Sequence, residues 1–339
     1  MIKQSTKRIR IGITLGDVNG IGAETVLKAV YGSRWPPAYR FILIGNADVL
    51  SDQARHFGFP VPLKWHPDEG KAASRKVVVW DPEPGEKLSW KPGRIEEVAS
   101  RCASAWIRAS VDAWRTGILQ AIVTAPISKE GFHKAGLHYP GHTELLAELA
   151  GRRRFAMMLL NDRLRVVIVT RHMPLKDVAR SLTRSLVCEA IELTSEAMPW
   201  IGEKRGHIAV CGLNPHAGDG GTLGNEEIEI IDPVIRSLQN AGIKAYGPFP
   251  ADTVFNQALH GRYNAVVAMY HDQGLAPFKL LAFENGVNLT LGLPFVRTSP
   301  DHGTGFDIAG SDTANPSSMI AAIRLAGRLA PRCNPWAGA

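Results

Sequence analysis

The stretch RIGITLGDVNGIGAE at residues 10–24 passes from a short apolar run through a glycine-rich turn into a helical pattern. Its first part, 10–15, is continuously hydrophobic, which is typical of a strand buried on both faces of a parallel sheet. The same succession of apolar run, turn and helical pattern recurs along the chain. We therefore predict an α/β protein in which helices flank a mostly parallel sheet.

The remaining elements follow from the same pattern. Predicted strands lie at 10–15, 41–44, 77–80, 119–124, 155–160, 165–170, 207–213, 265–270 and 287–291. Predicted helices between them lie at 95–115, 144–149, 186–201 and 226–240. The proline-containing stretch 81–93 is predicted to be a surface excursion rather than a domain boundary, and we find no internal repeat.

The composition is that of an ordinary soluble globular protein, with 45% hydrophobic and 21% charged residues among 339. This length suits two domains or one large α/β unit, and the composition excludes a disordered chain, a collagen-like repeat and a coiled coil. The net charge of +7 has two open interpretations, an anionic substrate or ordinary surface composition. The basic run at 152–154 has no interleaved aromatic residues, so we predict no nucleic-acid partner.

The four cysteines, Cys102, Cys188, Cys211 and Cys333, show no CxxC pairing, which predicts neither a zinc ribbon nor a disulfide scaffold. The basic start is followed by an apolar stretch that Asp17 interrupts, so a signal-peptide core is not expected. No apolar run approaches the roughly 20 residues that a membrane span needs. We predict a cytoplasmic protein without a membrane partner.

The glycine-rich turn does not match the dinucleotide-binding fingerprint G-x-G-x-x-G, because position 18 is Val and position 25 is Thr. Two interpretations remain open. Backbone N–H groups of such a turn can approach an anion at the helix N-terminus. The turn can also be a tight connection in which Asp17 or Asn19 caps the following helix.

Three histidines follow three predicted strands. His172 comes shortly after 165–170, His216 after 207–213, and His271 directly after 265–270. Ligands of open α/β sheets bind outside the carboxyl ends of the strands. Three imidazoles that converge there leave a fourth coordination position open, as catalytic divalent metals require. The alternative is that each histidine is an ordinary loop residue.

Acidic residues stand close to these histidines in the sequence. Asp219, Asp252 and Asp272 are candidates for carboxylates that fix the imidazole tautomers of metal-binding histidines. A zinc-dependent hydrolase is a competing interpretation of three histidines, although the sequence has no HExxH motif and no obvious pair of catalytic carboxylates.

A second group of residues indicates an anionic ligand. Thr143 in GHTE is a predicted N-cap of a helix whose N-terminus favours a phosphate or carboxylate. Lys279 lies in the apolar run PFKLLAF, where an unpaired charge is costly, so we expect a cleft with an anionic ligand. Arg297 ends the run LGLPFVR and suits bidentate capture of an anion. A solvated or structurally paired cation is the alternative for each.

Taken together, these motifs resemble those of one family, the 4-hydroxythreonine-4-phosphate dehydrogenases of vitamin B6 biosynthesis. The resemblance covers nearly the whole chain, and the most specific motifs are NPHAG, YHDQG and TSPDHGT. Further matching stretches, in the same order as in the family, are ITLGDVNGIGAE, VTAPISKEG, PGHTELLAE, RHMPLKDV, PADTVF and PSSMIAAIRLA.

The resemblance implies a two-domain α/β/α fold similar to isocitrate and isopropylmalate dehydrogenases, with the active site in the cleft between the domains. The expected first domain is discontinuous, 1–135 plus 300–339, and the expected second domain, 136–299, carries the metal-binding histidines and the dimer contacts. The family assembles its site across a dimer interface, so a homodimer is implied. The cofactor is NAD or NADP, bound without the Rossmann fingerprint.

The resemblance also assigns roles to single positions. The ligands of one divalent metal ion, zinc, magnesium or cobalt, fall on His172, His216 and His271. The implied substrate contacts are His142, Thr143, Lys279, Asn288 and Arg297. The catalytic candidates are Asp252, Asp272 and Lys279, and the sequence does not choose which aspartate transfers a proton.

The implied reaction is oxidation of 4-phosphohydroxy-L-threonine at C3 with NAD(P), followed by decarboxylation to 3-amino-2-oxopropyl phosphate in pyridoxal phosphate (pyridoxine) biosynthesis. The metal would acidify the 3-hydroxyl group and then polarise the ketone. Ser128 and Arg171 depart from the common family pattern, which leaves the exact substrate open. The alternative substrates are D-threonate or D-erythronate 4-phosphate and an aromatic cis-dihydrodiol dicarboxylate.

Overall fold

The structure is a computed structural model that describes residues 8–69 and 75–338. The chain divides into two compact units. Unit 1 comprises Met1–Gly151 and Phe295–Arg332, and unit 2 comprises Arg152–Pro294 and Cys333–Ala339.

Strands and helices alternate through most of the chain. The strands are β1 Ile9–Thr14, β2 Tyr39–Ile44, β3 Leu63–Lys64, β4 Val77–Trp80, β5 Ala121–Thr124, β6 Ala156–Leu160, β7 Arg165–Ile168, β8 Ile208–Cys211, β9 Ala245–Phe249, β10 Ala265–Ala268, β11 Val287–Leu291 and β12 Val296–Pro300. The helices are α1 Gly22–Gly32, α2 Ala47–His56, α3 Glu97–Arg115, α4 Lys129–Lys134, α5 His142–Leu149, α6 Leu175–Ser181, α7 Arg184–Ile201, α8 Asp232–Asn240, α9 Ala251–Leu259, α10 His271–Ala282 and α11 Ser317–Leu329. The α/β class is confirmed.

The unit boundaries differ from the sequence-based domain boundaries at 135 and 300. Helix α5 packs against α3, so the segment that carries it belongs to unit 1 rather than to the second domain. The last residues join unit 2 because Trp336 packs edge-on against Trp200 of α7, with ring centroids 5.5 Å apart. Neither packing interaction has a signature in the sequence pattern.

The sheet of unit 1 has the strand order β3-β4-β2-β1-β5-β12, and every pairing is parallel. Its central strands are buried throughout, which explains their continuous hydrophobicity. Helices α3 and α11 both pack against β5. The carboxyl ends of β1, β5 and β12 therefore lie side by side at one edge.

The sheet of unit 2 has the order β11-β6-β7-β10-β8-β9. Strand β6 pairs antiparallel with both β11 and β7, so the expectation of a mostly parallel sheet is met less fully here than in unit 1. The pairings β7-β10, β10-β8 and β8-β9 are parallel. The core packs Phe278 of α10 and Val254 of α9 against Val266 of β10.

Three strands were not predicted from the sequence, and each lacks the apolar run on which the prediction depends. Strand β3 has only two residues, β9 contains Gly and Pro in AYGPF, and β12 reads VRTSP. The predicted helix 226–240 begins as a π-helix over Glu227–Ile231 before it continues as α8.

The sequence predicts no disulfide scaffold and no membrane span. All four cysteines are free thiols, with Cys102 and Cys211 buried. In residues 8–69 and 75–338, the longest apolar helices fall short of what crossing a bilayer demands.

Candidate active site

The glycine-rich turn of unit 1 connects β1 to α1 without a side-chain cap. Helix α1 begins after Ile21, so the prediction that Asp17 or Asn19 caps it is wrong. Asp17 Oδ1 instead accepts a hydrogen bond from the Asn19 N–H at 3.0 Å, and Asn19 Oδ1 accepts one from the Lys91 N–H at 2.8 Å. The two side chains therefore hydrogen-bond to backbone N–H groups outside the helix, because the turn continues for several residues before α1 begins.

The buried carboxyl group of Asp17 argues against an anion at this turn. Burial and, to a smaller extent, the charge of Glu96 raise the pKa of Asp17 to about 6, against the hydrogen bond from the Asn19 N–H, which lowers it. Gly16 has φ +67°, and a Cβ atom there would lie 2.1 Å from the Pro126 carbonyl oxygen. The close approach of the two backbones therefore requires glycine, and the glycine-rich turn is explained by packing.

We expect Asp17→Asn to stabilise the protein in a pH-dependent way. Because the pKa of Asp17 is raised from 3.8 to about 6, the folded state binds more protons than the unfolded state between these values, so wild-type stability falls as pH rises through this window. The loss reaches about 3 kcal/mol by about pH 7. Urea unfolding of both proteins at several pH values measures it. The exposed Asp52→Asn is the control, and a pH-independent difference for Asp17→Asn contradicts the account.

Arg297 lies on β12 with only 1% of its surface exposed. Its Nη2 donates a hydrogen bond to Thr124 Oγ1 of β5 at 2.7 Å. Burial lowers the pKa of Arg297 to about 10, and the charge of Glu144 opposes that shift. The guanidinium group is therefore charged at neutral pH and is held at the carboxyl end of β5, where an arginine can bind an anion.

His142 is the first residue of α5, and Gly141 precedes it as the N-cap in extended conformation. The predicted N-cap, Thr143, is instead a buried residue inside the first turn. That prediction is wrong because glycine takes the position that Thr143 was expected to fill.

The ring of His142 is neutral. Burial lowers its pKa well below 6.5, the charge of Arg297 lowers it further, and a hydrogen bond to the Ala125 backbone raises it. A bond that raises the pKa is one that the ring donates, so the acceptor is the Ala125 carbonyl. Nε2 is buried without a hydrogen-bond partner, so Nδ1 is the donor and Nε2 presents a lone pair. We call Thr124, His142 and Arg297 the arginine cluster.

The other two predicted substrate contacts, Lys279 and Asn288, belong to unit 2. Lys279 is half-buried on α10, next to the buried Phe278 and to Leu280, which is 87% exposed. The apolar run around Lys279 is therefore divided between the core and the surface. Asn288 lies on β11, and its Oδ1 is buried without a hydrogen-bond partner.

Two of the three predicted metal ligands lie next to each other in unit 2. Strands β7 and β10 are parallel neighbours, and their ends stay joined where Thr170 donates its N–H and its Oγ1 to the Met269 carbonyl at 3.0 and 2.7 Å. His172 and His271 follow these ends, and their ring centroids are 5.3 Å apart. We call them the histidine pair.

The histidine pair lines a cavity of about 580 Å³ formed by residues 171–175, Val178 and 270–272. The Nδ1 of His271 hydrogen-bonds to Asp272 Oδ1 at 2.7 Å. A carboxylate in this position fixes the tautomer of a metal-binding imidazole and leaves Nε2 to coordinate. The hydrogen bond is the one that the sequence analysis expected of such a carboxylate, and the orienting role of Asp272 stays a prediction.

His216 lies after β8 in a turn of residues with positive φ, and its side chain is exposed. Across 8–69 and 75–338, no three His, Cys, Asp or Glu side chains form a group that could hold a metal ion. The donor chemistry of the histidine pair suits a divalent cation, but the pair supplies two ligands rather than three. Asp219 and Asp252 are exposed, the latter in the first turn of α9.

The turn that carries His216 is held by Glu227, a residue that the sequence analysis missed. Its carboxylate is 3% exposed and accepts hydrogen bonds from the N–H groups of Leu213 and Asn214 at 2.7 and 2.8 Å. A Cβ atom on Gly212 or Gly218 would lie 2.9 or 2.7 Å from its oxygens. The two acidic residues that begin the motif EEIEII were the only signal for this role.

We expect Glu227→Gln to destabilise the protein by about 2–4 kcal/mol. Oε1 of Glu227 accepts both backbone N–H groups, and Oε2 accepts a hydrogen bond from Asn214 Nδ2 at 3.0 Å. Glutamine removes the charge that strengthens these bonds, and its amide nitrogen cannot accept where Oε2 does or where Oε1 does. The neighbouring Glu226→Gln is the matched control, since Glu226 accepts its hydrogen bond from the Asn214 side chain, at 2.7 Å, and not from the Leu213 and Asn214 N–H groups that Glu227 binds. Denaturant unfolding of the two variants measures the difference. Equal effects in both variants contradict the assigned role.

The departures from the family pattern have local structural roles. Ser128 is the N-cap of α4 and accepts the Gly131 N–H at 2.9 Å. The guanidinium group of Arg171 lies 4.3 Å from the ring centroid of Phe155 and donates to the Phe155 carbonyl at 3.1 Å. Gln273 was also missed by the sequence analysis, and it links the Met269 N–H to the Gly212 carbonyl, both at 2.7 Å.

Comparisons with known proteins point to one family. The family model described as pyridoxal phosphate biosynthetic protein PdxA matches residues 38–326. A 4-hydroxythreonine-4-phosphate dehydrogenase from Beijerinckia indica is 44% identical over 94% of both chains. A D-threonate 4-phosphate dehydrogenase from Pectobacterium atrosepticum is 41% identical over 94% of this chain and 99% of its own.

A solved structure is similar over the same length. The crystal structure of a 4-hydroxythreonine-4-phosphate dehydrogenase from Klebsiella pneumoniae has a TM-score of 0.82 and 38% identity, and the match covers 95% of this chain and 99% of that chain. The similarity therefore extends over both units rather than over one of them.

Proposed function

The chain belongs to the PdxA family of pyridoxal phosphate biosynthetic proteins, and we propose that it oxidises 4-phosphohydroxy-L-threonine at C3. A hydride passes from C3 to NAD or NADP and the hydroxyl group loses its proton, which leaves a β-keto acid. Loss of carbon dioxide and protonation at C2 then give 3-amino-2-oxopropyl phosphate. The observation that carries the proposal is the buried, charged Arg297 beside a neutral histidine, in a chain whose relatives are dehydrogenases of phosphorylated hydroxy acids.

In unit 1, we propose that the arginine cluster binds and orients an anionic group of the substrate. Arg297 donates to the anion, and Thr124 holds the guanidinium group in one orientation through the 2.7 Å hydrogen bond. His142 presents the lone pair of Nε2, so it accepts a hydrogen bond from a substrate hydroxyl or ammonium group. Thr143, buried beside it, is assigned to the same contact region.

In unit 2, we propose that Lys279 and Asn288 complete the binding of the substrate and that His172, His216 and His271 hold one divalent cation. A zinc, magnesium or cobalt ion there would supply Lewis-acid polarisation of the substrate's C3 oxygen. The support is the 5.3 Å separation of the histidine pair and the hydrogen bond from His271 to Asp272.

We also propose which residues transfer protons in the reaction. Asp272 acts through His271, because its Oδ1 is hydrogen-bonded to Nδ1 of the His271 ring. We assign protonation of C2 after decarboxylation to Lys279, since an ammonium group can donate a proton and its positive charge suits a forming carbanion. Asp252 is the exposed candidate for exchange of that proton with solvent.

A second candidate substrate is D-threonate 4-phosphate, supported by the 41% identity to a dehydrogenase named for it. The two substrates differ at C2, which carries an ammonium group in one and a hydroxyl group in the other. His142 Nε2 can accept a hydrogen bond from either. An aromatic cis-dihydrodiol dicarboxylate and D-erythronate 4-phosphate complete the set of alternatives.

We further propose a cytoplasmic homodimer. Leu280 and Phe283, at and just beyond the end of α10, are 87% and 79% exposed, and large apolar side chains of this kind mark association surfaces when they cluster. Sedimentation analysis over a range of concentrations tests the oligomeric state, and a monomer at all concentrations contradicts it.

A substrate panel tests the proposed function. Initial rates of nicotinamide reduction are measured with the four candidate substrates, each with NAD and with NADP. We expect the highest kcat/KM with 4-phosphohydroxy-L-threonine. A higher kcat/KM with D-threonate 4-phosphate replaces the first candidate with the second, and turnover of none of the four contradicts both.

A further inference from the structure

Thr14 ends β1 on the same face of the unit 1 sheet as the arginine cluster. The strand register pairs Thr14 with Thr124 on β5, and it pairs Arg297 of β12 with Ile122, two residues before Thr124. Residues two apart in a strand point to the same face. Thr14, Thr124 and Arg297 therefore face one side of the sheet. Thr14 and Thr124 end their strands at the carboxyl edge, where α/β proteins bind ligands, and Nη2 of Arg297 reaches Thr124 there.

The hydroxyl group of Thr14 has no hydrogen-bond partner although it is completely buried. A buried hydroxyl without a partner costs about 1–3 kcal/mol, so its presence needs a physical reason. Hydrogen bonds through the backbone of Ala125 connect Thr14 to a second buried atom without a partner, Nε2 of His142. The Thr14 carbonyl accepts the Ala125 N–H at 3.0 Å, and Ala125 accepts the ring N–H of His142, whose Nε2 is also buried without a partner.

The two atoms have complementary chemistry. His142 is neutral and donates Nδ1–H to the backbone, so its Nε2 can only accept and cannot bind an anionic oxygen directly. An anion beside Arg297 needs further donors for its remaining oxygens. Thr14 supplies an O–H donor on β1, the strand next to the one that carries Thr124. Neighbouring strands of a sheet lie about 4.8 Å apart.

We propose that Thr14 is a further substrate-binding residue, whose hydroxyl donates a hydrogen bond to the anionic group that Arg297 holds. The proposal rests on the proposed function of Arg297. It assigns the arginine cluster a phosphate- or carboxylate-binding neighbour that the sequence motifs did not identify.

A matched threonine separates binding from folding. Thr298 is also completely buried, on β12, but it faces the other side of the sheet and donates its hydroxyl to the Ala322 carbonyl of α11 at 2.9 Å. Valine in place of Thr298 removes a satisfied hydrogen bond, whereas valine in place of Thr14 removes an unsatisfied polar group. We therefore expect Thr14→Val to weaken ligand binding without loss of stability, and Thr298→Val to lower stability without weaker binding.

The experiment measures the Kd for inorganic phosphate by calorimetry, the KM for 4-phosphohydroxy-L-threonine and the melting temperature. For Thr14→Val we expect Kd and KM to rise about tenfold with an unchanged or higher Tm. Thr14→Ser keeps the donor and should stay within about threefold of wild type. Thr298→Val should lower Tm and leave Kd and KM unchanged. Thr14→Ala replaces Thr14→Val if the latter does not fold.

The outcomes separate this proposal from the proposed function. Wild-type Kd and KM in Thr14→Val, together with weakened binding in Arg297→Lys, overturn the role of Thr14 and leave Arg297 in place. Failure of Thr14→Ser to retain binding overturns it as well, since the donor would then be irrelevant. No effect of Arg297→Lys on Kd or on KM contradicts both.

Discussion

Replacement of Arg297 by lysine lowers kcat/KM for 4-phosphohydroxy-L-threonine by two to three orders of magnitude, an effect of about 3–4 kcal/mol. Lysine keeps the positive charge but loses the planar fork that can bind two oxygens of one anion. It also loses the Nη2 hydrogen bond to Thr124, which fixes the orientation of the guanidinium group. We expect most of the change in KM, because the anion is bound in the ground state and in the transition state alike.

The control for this prediction is Arg324→Lys, an exposed arginine of the same unit on α11. It should leave kcat/KM within about twofold of wild type, as surface substitutions generally do. Steady-state kinetics and circular dichroism of both variants are the measurements. A kcat/KM for Arg297→Lys close to that of the control, in a folded protein, contradicts the assignment of Arg297 to the substrate.

Replacement of His216 by asparagine lowers kcat/KM by about a thousandfold or more and weakens metal binding, because a three-ligand site loses one ligand. Asparagine is chosen rather than alanine because His216 has φ +54°, a conformation that asparagine tolerates. The turn is thereby kept while the imidazole is removed. Since His216 is exposed, we expect little change in the free energy of unfolding.

Metal affinity measured by calorimetry on apoprotein gives a readout that is independent of turnover. His260→Asn is the control, an exposed histidine of the same unit whose Nδ1 bonds to the Asn256 carbonyl at 2.8 Å. A His216→Asn protein with wild-type metal affinity and wild-type kcat refutes the proposal that His216 is a ligand, and leaves the histidine pair without its third member.

The apolar runs predicted the buried strands well, because a parallel strand covered on both faces must be hydrophobic at every position. Strands 77–80 and 287–291 are confirmed to the residue. Strand β12 could not be predicted, because its sequence VRTSP contains only one large apolar residue and is otherwise polar or proline. One of these polar residues, Arg297, is the residue that makes β12 a candidate binding strand.

The histidine pair was predictable from topology, since residues after neighbouring parallel strands meet at one edge. The conformation around His216 was not predictable, because it depends on Glu227. In the sequence, Glu227 is one of several acidic residues in a helical pattern, and nothing distinguishes it from the others. In the structure, Glu227 is the first residue of the π-helix, and its buried carboxylate accepts hydrogen bonds from the backbone before the turn. Thr14 and Thr124 escaped the sequence analysis because a threonine at a strand end has no distinctive pattern.

The most direct test of the account is the stoichiometry of the reaction. Metal-replete protein is mixed with 4-phosphohydroxy-L-threonine and NAD or NADP, and reduced nicotinamide and released carbon dioxide are measured together, before and after chelation. We expect equal amounts of the two products, loss of both on chelation and recovery of both when a divalent metal is restored. No reduced nicotinamide from the metal-replete protein with either cofactor would contradict it.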